Sequence, residues 1–130
     1  MSIQLNHTIV ASRDAKAAAA WLAELLGLPA PTTLYHFECV ETANGVTLDH
    51  LTCDAPFEIQ HYAFLVTEAE FDAIFARIVA RALPYWADPF ASRPQELNHN
   101  DGGRGVYFRS PDGHYLELLT RPYGSGAAGA

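Results

Sequence analysis

The first half of the chain alternates between two hydrophobic periods. Residues 3–10, 33–42 and 46–53 are mixed in polarity and rich in β-branched and aromatic side chains, which predicts strands. The turn sequence "ANG" between the last two predicts a hairpin. Residues 12–28 instead carry alanines and leucines at helical spacing, with Ser12 as the predicted N-cap. The pattern therefore predicts a strand, a helix and then paired strands.

The second half repeats this pattern. Residues 58–67 predict a strand that leads into a capping box formed by Thr67 and Glu70. The predicted helix has an apolar stripe at i, i+3 and i+4 spacing, formed by Phe71, Ile74, Phe75, Ile78, Val79 and Ala82. Residues 84–90 predict a short strand, and residues 106–120 predict a closing hairpin around the turn "PDG".

The two halves also share residues at matching places. The segment "GVTLDHLT" at 45–52 aligns without gaps with "GHYLELLT" at 113–120, and His7 in "HTIV" matches His61 in "HYAFLV". Because chance seldom repeats element order and residue types together, we predict two βαβββ modules. We expect an α+β fold in which the modules form curved mixed sheets around a cavity, with the helices outside.

The modules are predicted to build one domain. It spans residues 1–122, with module one at 3–54 and module two at 57–122. The small residues that dominate 123–130 offer little to pack and predict a disordered tail.

Two polar segments near the end of the chain are predicted to lie in loops. The segment "NDGGRG" at 100–105 lacks the pattern of a phosphate loop, so we expect a flexible loop that covers the mouth of the cavity. His114 directly follows the turn "PDG" and is expected to face solvent.

Alternation along the strands places a histidine and an acid on one face of module two. Tyr62 and Phe64 point toward the predicted helix, so His61 points to the opposite face. The same argument turns Tyr115 and Glu117 to the face of His61. Glu117 lies among leucines, and a buried glutamate needs a bonded partner or a cation.

The repeat gives four polar side chains equivalent strand positions: His7, Asp49, His61 and Glu117. Two imidazoles and one or two carboxylates suit a divalent cation such as Fe(II), Mn(II), Ni(II) or Zn(II). Open coordination positions would remain for oxygens of a substrate. A cation would also explain why a carboxylate sits in an apolar strand.

Simpler interpretations of the same residues stay open. His7 could be a core histidine bonded to a backbone carbonyl, and Asp49 could support the structure without binding a metal. Glu117 could instead form a buried ion pair with Arg104 or Arg109.

Charge and composition restrict the partners. The chain has a net charge of −7 and no run of Lys or Arg, so nucleic acid and anionic membranes are poor candidate partners. No apolar stretch is long enough to span a bilayer, and the N-terminal "MSIQLNHTIV" does not resemble a signal peptide. Cys39 and Cys53 are predicted to be reduced, buried thiols of a cytoplasmic protein.

Over residues 3–122 the sequence resembles the vicinal oxygen chelate superfamily, which includes glyoxalase I, extradiol dioxygenases, fosfomycin-resistance transferases and bleomycin-resistance proteins. The resemblance rests on the paired modules, on His7 and His61, and on "GGRGVYFRSPDGHYLELLT", which is similar to the family's "YF–DPDGH–LEL" ending. It implies that His7, His61 and Glu117 are metal ligands. It also implies that Asp49 stands where glyoxalase I-like members have a fourth carboxylate.

The resemblance implies a shared chemistry. A metal chelates two adjacent substrate oxygens and stabilises negative charge on oxygen. The candidates for a second catalytic group are Asp49, Tyr107, Tyr115, His50 and Arg109. The first hypothesis is a metal-dependent lyase or dioxygenase. The alternative is a metal-free module, like the bleomycin-resistance proteins, that binds a drug or metabolite.

The resemblance also implies a homodimer, since symmetric pairing would hide exposed sheet edges. The metal site could form within one chain or across two. Arg104 and Arg109 are the only obvious cations near the predicted cavity, so a mildly polar or aromatic small molecule is the expected substrate.

Overall fold

Two four-stranded mixed sheets, one in each half of the chain, organise the fold. The structure is a computed structural model that describes residues 2–126. The chain divides into two compact units, Met1–Glu58 and Ile59–Ala130. Each unit contains one strand, one helix and three further strands, which confirms the predicted α+β class and the two βαβββ modules.

The first unit builds its sheet around a parallel pair of strands. In chain order its elements are β1 (His7–Ser12), α1 (Ala15–Leu26), β2 (Thr32–Leu34), β3 (Phe37–Glu41) and β4 (Thr47–Thr52). The sheet order is β1-β4-β3-β2, in which β1 runs parallel to β4 and the other neighbours are antiparallel. Helix α1 packs on β1, β3 and β4 and buries Ala19, Leu22 and Leu25.

The second unit repeats this topology. Its elements are β5 (His61–Leu65), α2 (Glu68–Ala80), β6 (Tyr85–Trp86), β7 (Gly105–Arg109) and β8 (Tyr115–Leu119), with a short 3₁₀ turn at Asn100–Gly102. The sheet order is β5-β8-β7-β6, again with one parallel pair, β5 and β8. Helix α2 buries the apolar residues Phe71, Ile74 and Ile78. Val79, which we placed in the same stripe, is 53% exposed.

The N-terminal cap of α2 is the predicted one, whereas the cap of α1 is not. The capping box at α2 is confirmed: Thr67 accepts from the Glu70 N–H and Glu70 accepts from the Thr67 N–H. The cap of α1 is Asp14, which accepts from Ala17 N–H, and the prediction of Ser12 was wrong. Ser12 is the last residue of β1, and its carbonyl accepts from the Cys53 N–H, so the ladder to β4 keeps it extended.

The segment 33–42, predicted as one strand, folds into two. β2 and β3 pair as a tight hairpin with Leu34 opposite Phe37. Tyr35 in the turn has a φ of 56°, a left-handed conformation that strand propensity does not suggest. The chain therefore reverses within an aromatic run that carries no glycine.

The chain end is attached to the second unit in the part that is described. Within the segment predicted to be a disordered tail, Gly124 and Gly126 donate their backbone N–H groups to the Asp101 carboxylate. Residues 127–130 of that prediction lie outside the described residues. Asp101 belongs to the loop "NDGGRG", which therefore holds the chain end by hydrogen bonds.

Two sequence expectations about thiols and membranes can be compared with the structure. Cys39 and Cys53 are free thiols, as predicted; Cys39 is buried, whereas Cys53, also predicted to be buried, is only partly so. Within residues 2–126, no helix has both the length and the apolar character needed to cross a bilayer.

Candidate functional site

One face of the second sheet collects most of the polar residues singled out in the sequence. Strand pairing places Ala63, Glu117 and Tyr107 side by side across three strands. The next matching row contains His61 and Tyr115, followed by Arg109 on β7. Because side chains two residues apart on a strand share a face, the two rows lie on the same face, as the alternation predicted.

Glu117 is buried on this face and is paired. Its side chain is 1% exposed, and its Oε1 lies 3.1 Å from His61 Nε2. Its Oε2 accepts a hydrogen bond from the Tyr123 hydroxyl. Oε2 therefore has a hydrogen-bond donor, whereas Oε1 is satisfied only when a proton or a cation lies between it and His61 Nε2.

The predicted alternative partners of Glu117 are engaged elsewhere. Arg104 forms ion pairs with Glu68 at 2.9 Å and with Asp72 at 2.9 Å. Arg109 lies over the Tyr115 ring, with its guanidinium carbon 4.6 Å from the ring centre. The interpretation of Glu117 as half of an arginine ion pair is therefore not supported by the described contacts.

The orientation of the His61 ring determines which nitrogen faces Glu117. His61 Nδ1 lies 3.0 Å from the backbone carbonyl of Tyr115, which can only accept, so Nδ1 carries a proton. The lone pair of the neutral ring is then on Nε2, which faces Glu117. Protein metal sites commonly use this arrangement, in which a backbone carbonyl holds one ring nitrogen and the other binds the ion.

The spacing of these two atoms suits a metal ion. Transition metals bind imidazole nitrogen and carboxylate oxygen at about 2.1 Å, so two ligands at right angles are about 3.0 Å apart. The separation of His61 Nε2 and Glu117 Oε1 is 3.1 Å. The donor set of one imidazole and one carboxylate suits the divalent ions that the sequence predicted.

Two tyrosines extend the hydrogen bonding of Glu117. Tyr107 and Tyr123 hydroxyl oxygens are 2.8 Å apart. Because Tyr123 uses its single proton on Glu117, Tyr107 must donate to Tyr123. Burial, together with the nearby Glu117 charge, raises the pKa of Tyr107, and burial with the bond to Glu117 raises the pKa of Tyr123. Both phenols therefore remain proton donors at neutral pH.

Aromatic rings border the pair of His61 and Glu117. Tyr107 stacks on the His61 ring at 6.0 Å between centres, and Trp86 meets the Tyr115 ring edge-on at 6.3 Å. The Tyr115 hydroxyl is buried and has no hydrogen-bond partner among the described residues. This face therefore offers apolar ring surface together with one unsatisfied hydroxyl.

The first unit places His7 and Asp49 on an equivalent face of its own sheet. His7 is exposed, and its Nδ1 lies 2.7 Å from the Asn6 amide oxygen, so Nδ1 donates there and Nε2 keeps the lone pair. Asp49 pairs in register with Ile9 and Cys39, as Glu117 pairs with Ala63 and Tyr107. Neither His7 nor Asp49 has an arginine or lysine partner in the described contacts.

Asp49 is buried and incompletely bonded. The residue is 8% exposed, and its Oδ1 has no hydrogen-bond partner within residues 2–126. Burial, reinforced by a hydrogen bond to Asp49, raises the pKa of Cys39 to about 11. His50, on the opposite side of β4 from Asp49, contacts the Leu48 carbonyl through Nδ1 at 3.1 Å. His50 is thus a buried structural histidine.

The predicted residues form two groups, one in each unit. The second unit brings together His61, Glu117, Tyr107, Tyr115 and Arg109, and the first unit brings together His7 and Asp49. No group of three or more His, Cys, Asp and Glu side chains suited to a metal occurs in the part of the chain that the structure describes.

Two residues differ from what the sequence predicts. Tyr123 falls in the segment predicted to be disordered, yet it donates to Glu117; the only signal was a tyrosine among small residues. His114 is 2% exposed rather than solvent-facing, and its Nδ1 accepts the backbone N–H of Gln60, the residue before β5. That N–H requires an acceptor, which the sequence does not reveal.

The chain is similar in sequence and fold to several known proteins. No family model matches. The solved structure of Oxidase ChaP-H2 is 58% identical, covers 97% of this chain and 99% of its own chain, and superposes with a TM-score of 0.95. Glutathione transferase FosA of Serratia marcescens is 28% identical over 88% of this chain and 78% of its own length.

A second curated relative matches only in part. Metallothiol transferase FosB of Shouchella clausii is 35% identical over 60 residues, and the match spans 46% of this chain and 37% of FosB. The near-complete match to Oxidase ChaP-H2 therefore carries the assignment. Together with the two βαβββ modules and the paired His61 and Glu117, it shows that the chain belongs to the vicinal oxygen chelate superfamily.

Proposed function

We propose that this protein is a metal-dependent enzyme that binds two adjacent oxygens of a small molecule at a divalent metal held by His7, His61 and Glu117. The observation that carries the proposal is the geometry of His61 and Glu117, whose donor atoms are 3.1 Å apart. His7 supports it because its Nε2 is left available by the bond from Nδ1 to Asn6.

When bound, the metal would stabilise negative charge on a substrate oxygen and favour loss of a proton from a substrate hydroxyl. The chain's own residues orient the ligands and handle protons. The Tyr115 carbonyl holds the His61 ring, and Tyr123 holds Glu117. Tyr107 donates its proton to Tyr123, so we propose the Tyr115 hydroxyl, which has no hydrogen-bond partner within residues 2–126, as the phenol that donates to a substrate oxygen.

The arginine and aspartate candidates take more peripheral roles in this proposal. Arg109 is exposed and lies on the Tyr115 ring, where it can contact a polar group at the edge of a bound molecule. Asp49 has a buried Oδ1 without a hydrogen-bond partner in the described part of the chain and is proposed as a proton acceptor or an additional ligand. The rings of Trp86, Tyr107 and Tyr115 favour a substrate with aromatic surface.

Within the two reaction types predicted from sequence, we favour oxidation. The solved structure that matches over nearly the full chain is named an oxidase. A set of two histidines and one carboxylate leaves open positions for a chelated substrate and dioxygen, as in non-haem Fe(II) oxygenases. A lyase of glyoxalase type would use the same ligands without consuming dioxygen.

The metal is tested by elemental analysis and titration. Protein purified without chelators should contain about one divalent metal per site, and His61→Ala should lose it. His99→Ala is the matched control, because His99 is an exposed histidine of the same unit. Equal metal content in His61→Ala and wild type would refute the proposal.

The alternative binding function is separated by chelation. A metal-free binding protein would hold an aromatic ligand equally well in excess EDTA and would show no turnover. Our proposal predicts that EDTA abolishes both turnover and metal-dependent ligand binding, and that turnover with dioxygen consumption returns when Fe(II) is restored.

We also propose that the protein is a homodimer. Mixing His7→Ala with His61→Ala protein tests this proposal together with the origin of His7. If each site combines residues of two chains, each mixed dimer regains one of its two sites, so a randomly reassorted equimolar mixture, in which about half of the dimers are mixed, recovers about a quarter of all sites. If each site belongs to one chain, mixing restores nothing. Light scattering that shows only a monomer at micromolar concentration would refute the dimer.

A further inference from the structure

The described end of the chain folds back onto the second unit. Arg121 donates to the Ser125 carbonyl at 2.9 Å, and the Ser125 hydroxyl donates to the Pro122 carbonyl at 2.6 Å. These bonds shape residues 122–126 into a compact turn. We call residues 122–126 the C-terminal turn.

Asp101 holds the C-terminal turn in place. Its carboxylate accepts from Gly124 N–H at 3.2 Å and from Gly126 N–H at 3.1 Å. A Cβ atom on Gly126 would overlap the Asp101 main chain, so only glycine allows this approach. Asp101 itself has a φ of 57°, a left-handed conformation that aspartate tolerates better than most residues. The hydrogen bonds to Asp101 and the absence of a side chain at Gly126 thus both allow the C-terminal turn to pack against this loop.

The C-terminal turn delivers one side chain to the candidate site. Tyr123 is 60% exposed as a residue, yet its hydroxyl reaches the oxygen of the buried Glu117 that His61 does not contact. Tyr107 fixes the same hydroxyl from the other side at 2.8 Å. The two oxygens of Glu117 therefore have different partners. Oε2 accepts a hydrogen bond from Tyr123, and Oε1 faces His61 Nε2.

We propose that Tyr123 is a positioning residue that restricts Glu117 to one metal-binding oxygen, and that Asp101 holds it there through the C-terminal turn. This inference rests on the proposed metal function. A carboxylate with both oxygens free can take two coordination positions. With Oε2 bound by Tyr123, Glu117 takes one position, which keeps another open for the chelated substrate. Tyr123 itself touches neither metal nor substrate in this proposal.

The first test removes only the hydroxyl. Tyr123→Phe should weaken Co(II) affinity by about tenfold or more, the size typical for loss of a group that orients a metal ligand. It should also change the visible spectrum of the Co(II)-loaded protein, because Glu117 becomes free to bind through both oxygens. Tyr62→Phe is the matched control, since Tyr62 lies on the opposite face of β5 and contacts His114.

The second test releases the C-terminal turn without touching Tyr123. Asp101→Gly keeps the left-handed backbone and removes the acceptor of both glycine N–H groups. Co(II) affinity should fall as in Tyr123→Phe. In metal-free protein, the Gly124 and Gly126 amides should exchange hydrogen faster than in wild type. Circular dichroism checks that both variants fold.

The outcomes separate this inference from the proposed function. If wild type binds Co(II), His61→Ala does not, and Tyr123→Phe matches wild type in affinity and spectrum, only the role of Tyr123 is refuted. If Asp101→Gly alone matches wild type, the role of Asp101 is refuted. If wild type binds no divalent metal, the proposed function fails, and the inference that rests on it fails with it.

Discussion

The substitution Glu117→Gln tests whether this buried carboxylate is present for a metal or for the fold. Glutamine has the same size and can satisfy both contacts of Glu117 without a charge. Its amide oxygen can accept from Tyr123, and its NH₂ can donate to the lone pair on His61 Nε2. In metal-free protein the change should therefore cost little stability, because the amide still accepts from Tyr123 and also offers a donor to His61 Nε2.

The expected magnitudes follow from the size of the chain. For 130 residues, an unfolding entropy of about 0.27 kcal/mol per kelvin makes 1 kcal/mol equal to about 4 °C in Tm. With both hydrogen bonds kept, Glu117→Gln should change the metal-free Tm by no more than about 4 °C. Metal at one hundred times its Kd adds about 2.7 kcal/mol, or about 10 °C, to wild type. The variant should gain almost none of this increase.

Calorimetry in EDTA measures the metal-free Tm, and calorimetry of the same samples in excess Mn(II) measures the increase in Tm on metal binding. Glu96→Gln is the control, because Glu96 forms only an exposed ion pair with Arg93 at 3.3 Å and should keep the full metal increase. An increase of about 10 °C in Glu117→Gln would show that Glu117 is not a ligand. A loss of more than about 3 kcal/mol in EDTA would show that the carboxylate serves the fold.

Two further predictions concern the stability of the fold. Thr67→Ala removes a side-chain acceptor of the α2 capping box and should cost about 1 kcal/mol in urea unfolding, whereas Thr67→Ser should keep most of it; equal losses in both would contradict the cap. Folding raises the pKa of the Cys39 thiol from 9.0 to about 11, so the neutral thiol adds to the free energy of unfolding below pH 9, and this stabilisation is lost as pH rises through 11. Between pH 9 and 11, the free energy of unfolding of wild type should therefore fall more than that of Cys39→Ala.

Much of the candidate site followed from strand periodicity. The prediction that His61, Tyr115 and Glu117 share one face needed only the two-residue alternation and the apolar stripe that marks the helix side. The structure confirms it, because the register of β5, β7 and β8 aligns these positions. The capping box at Thr67 and Glu70 was equally local, since its partners are three residues apart.

Failures arose where a distant segment supplied a bond. Ser12 looked like a helix cap, but pairing of β1 with β4 keeps it in the strand, and Asp14 takes the cap. His114 looked like a turn residue, but the N–H of Gln60, 54 positions away, makes it a buried acceptor. In both cases the local propensity was real, and a tertiary hydrogen bond outweighed it.

The sequence by itself determined the repeated modules and the face of the sheet on which Glu117 lies, because residue alternation and element order are encoded locally. Only the tertiary structure decided what Glu117 meets on that face. Its partner His61 lies on a strand 56 residues away in the sequence. Its other partner, Tyr123, lies in the C-terminal turn, which Asp101 holds by accepting the N–H of Gly126, 25 residues further along the chain. Hydrogen bonds of this reach depend on how the chain packs, which no local pattern records.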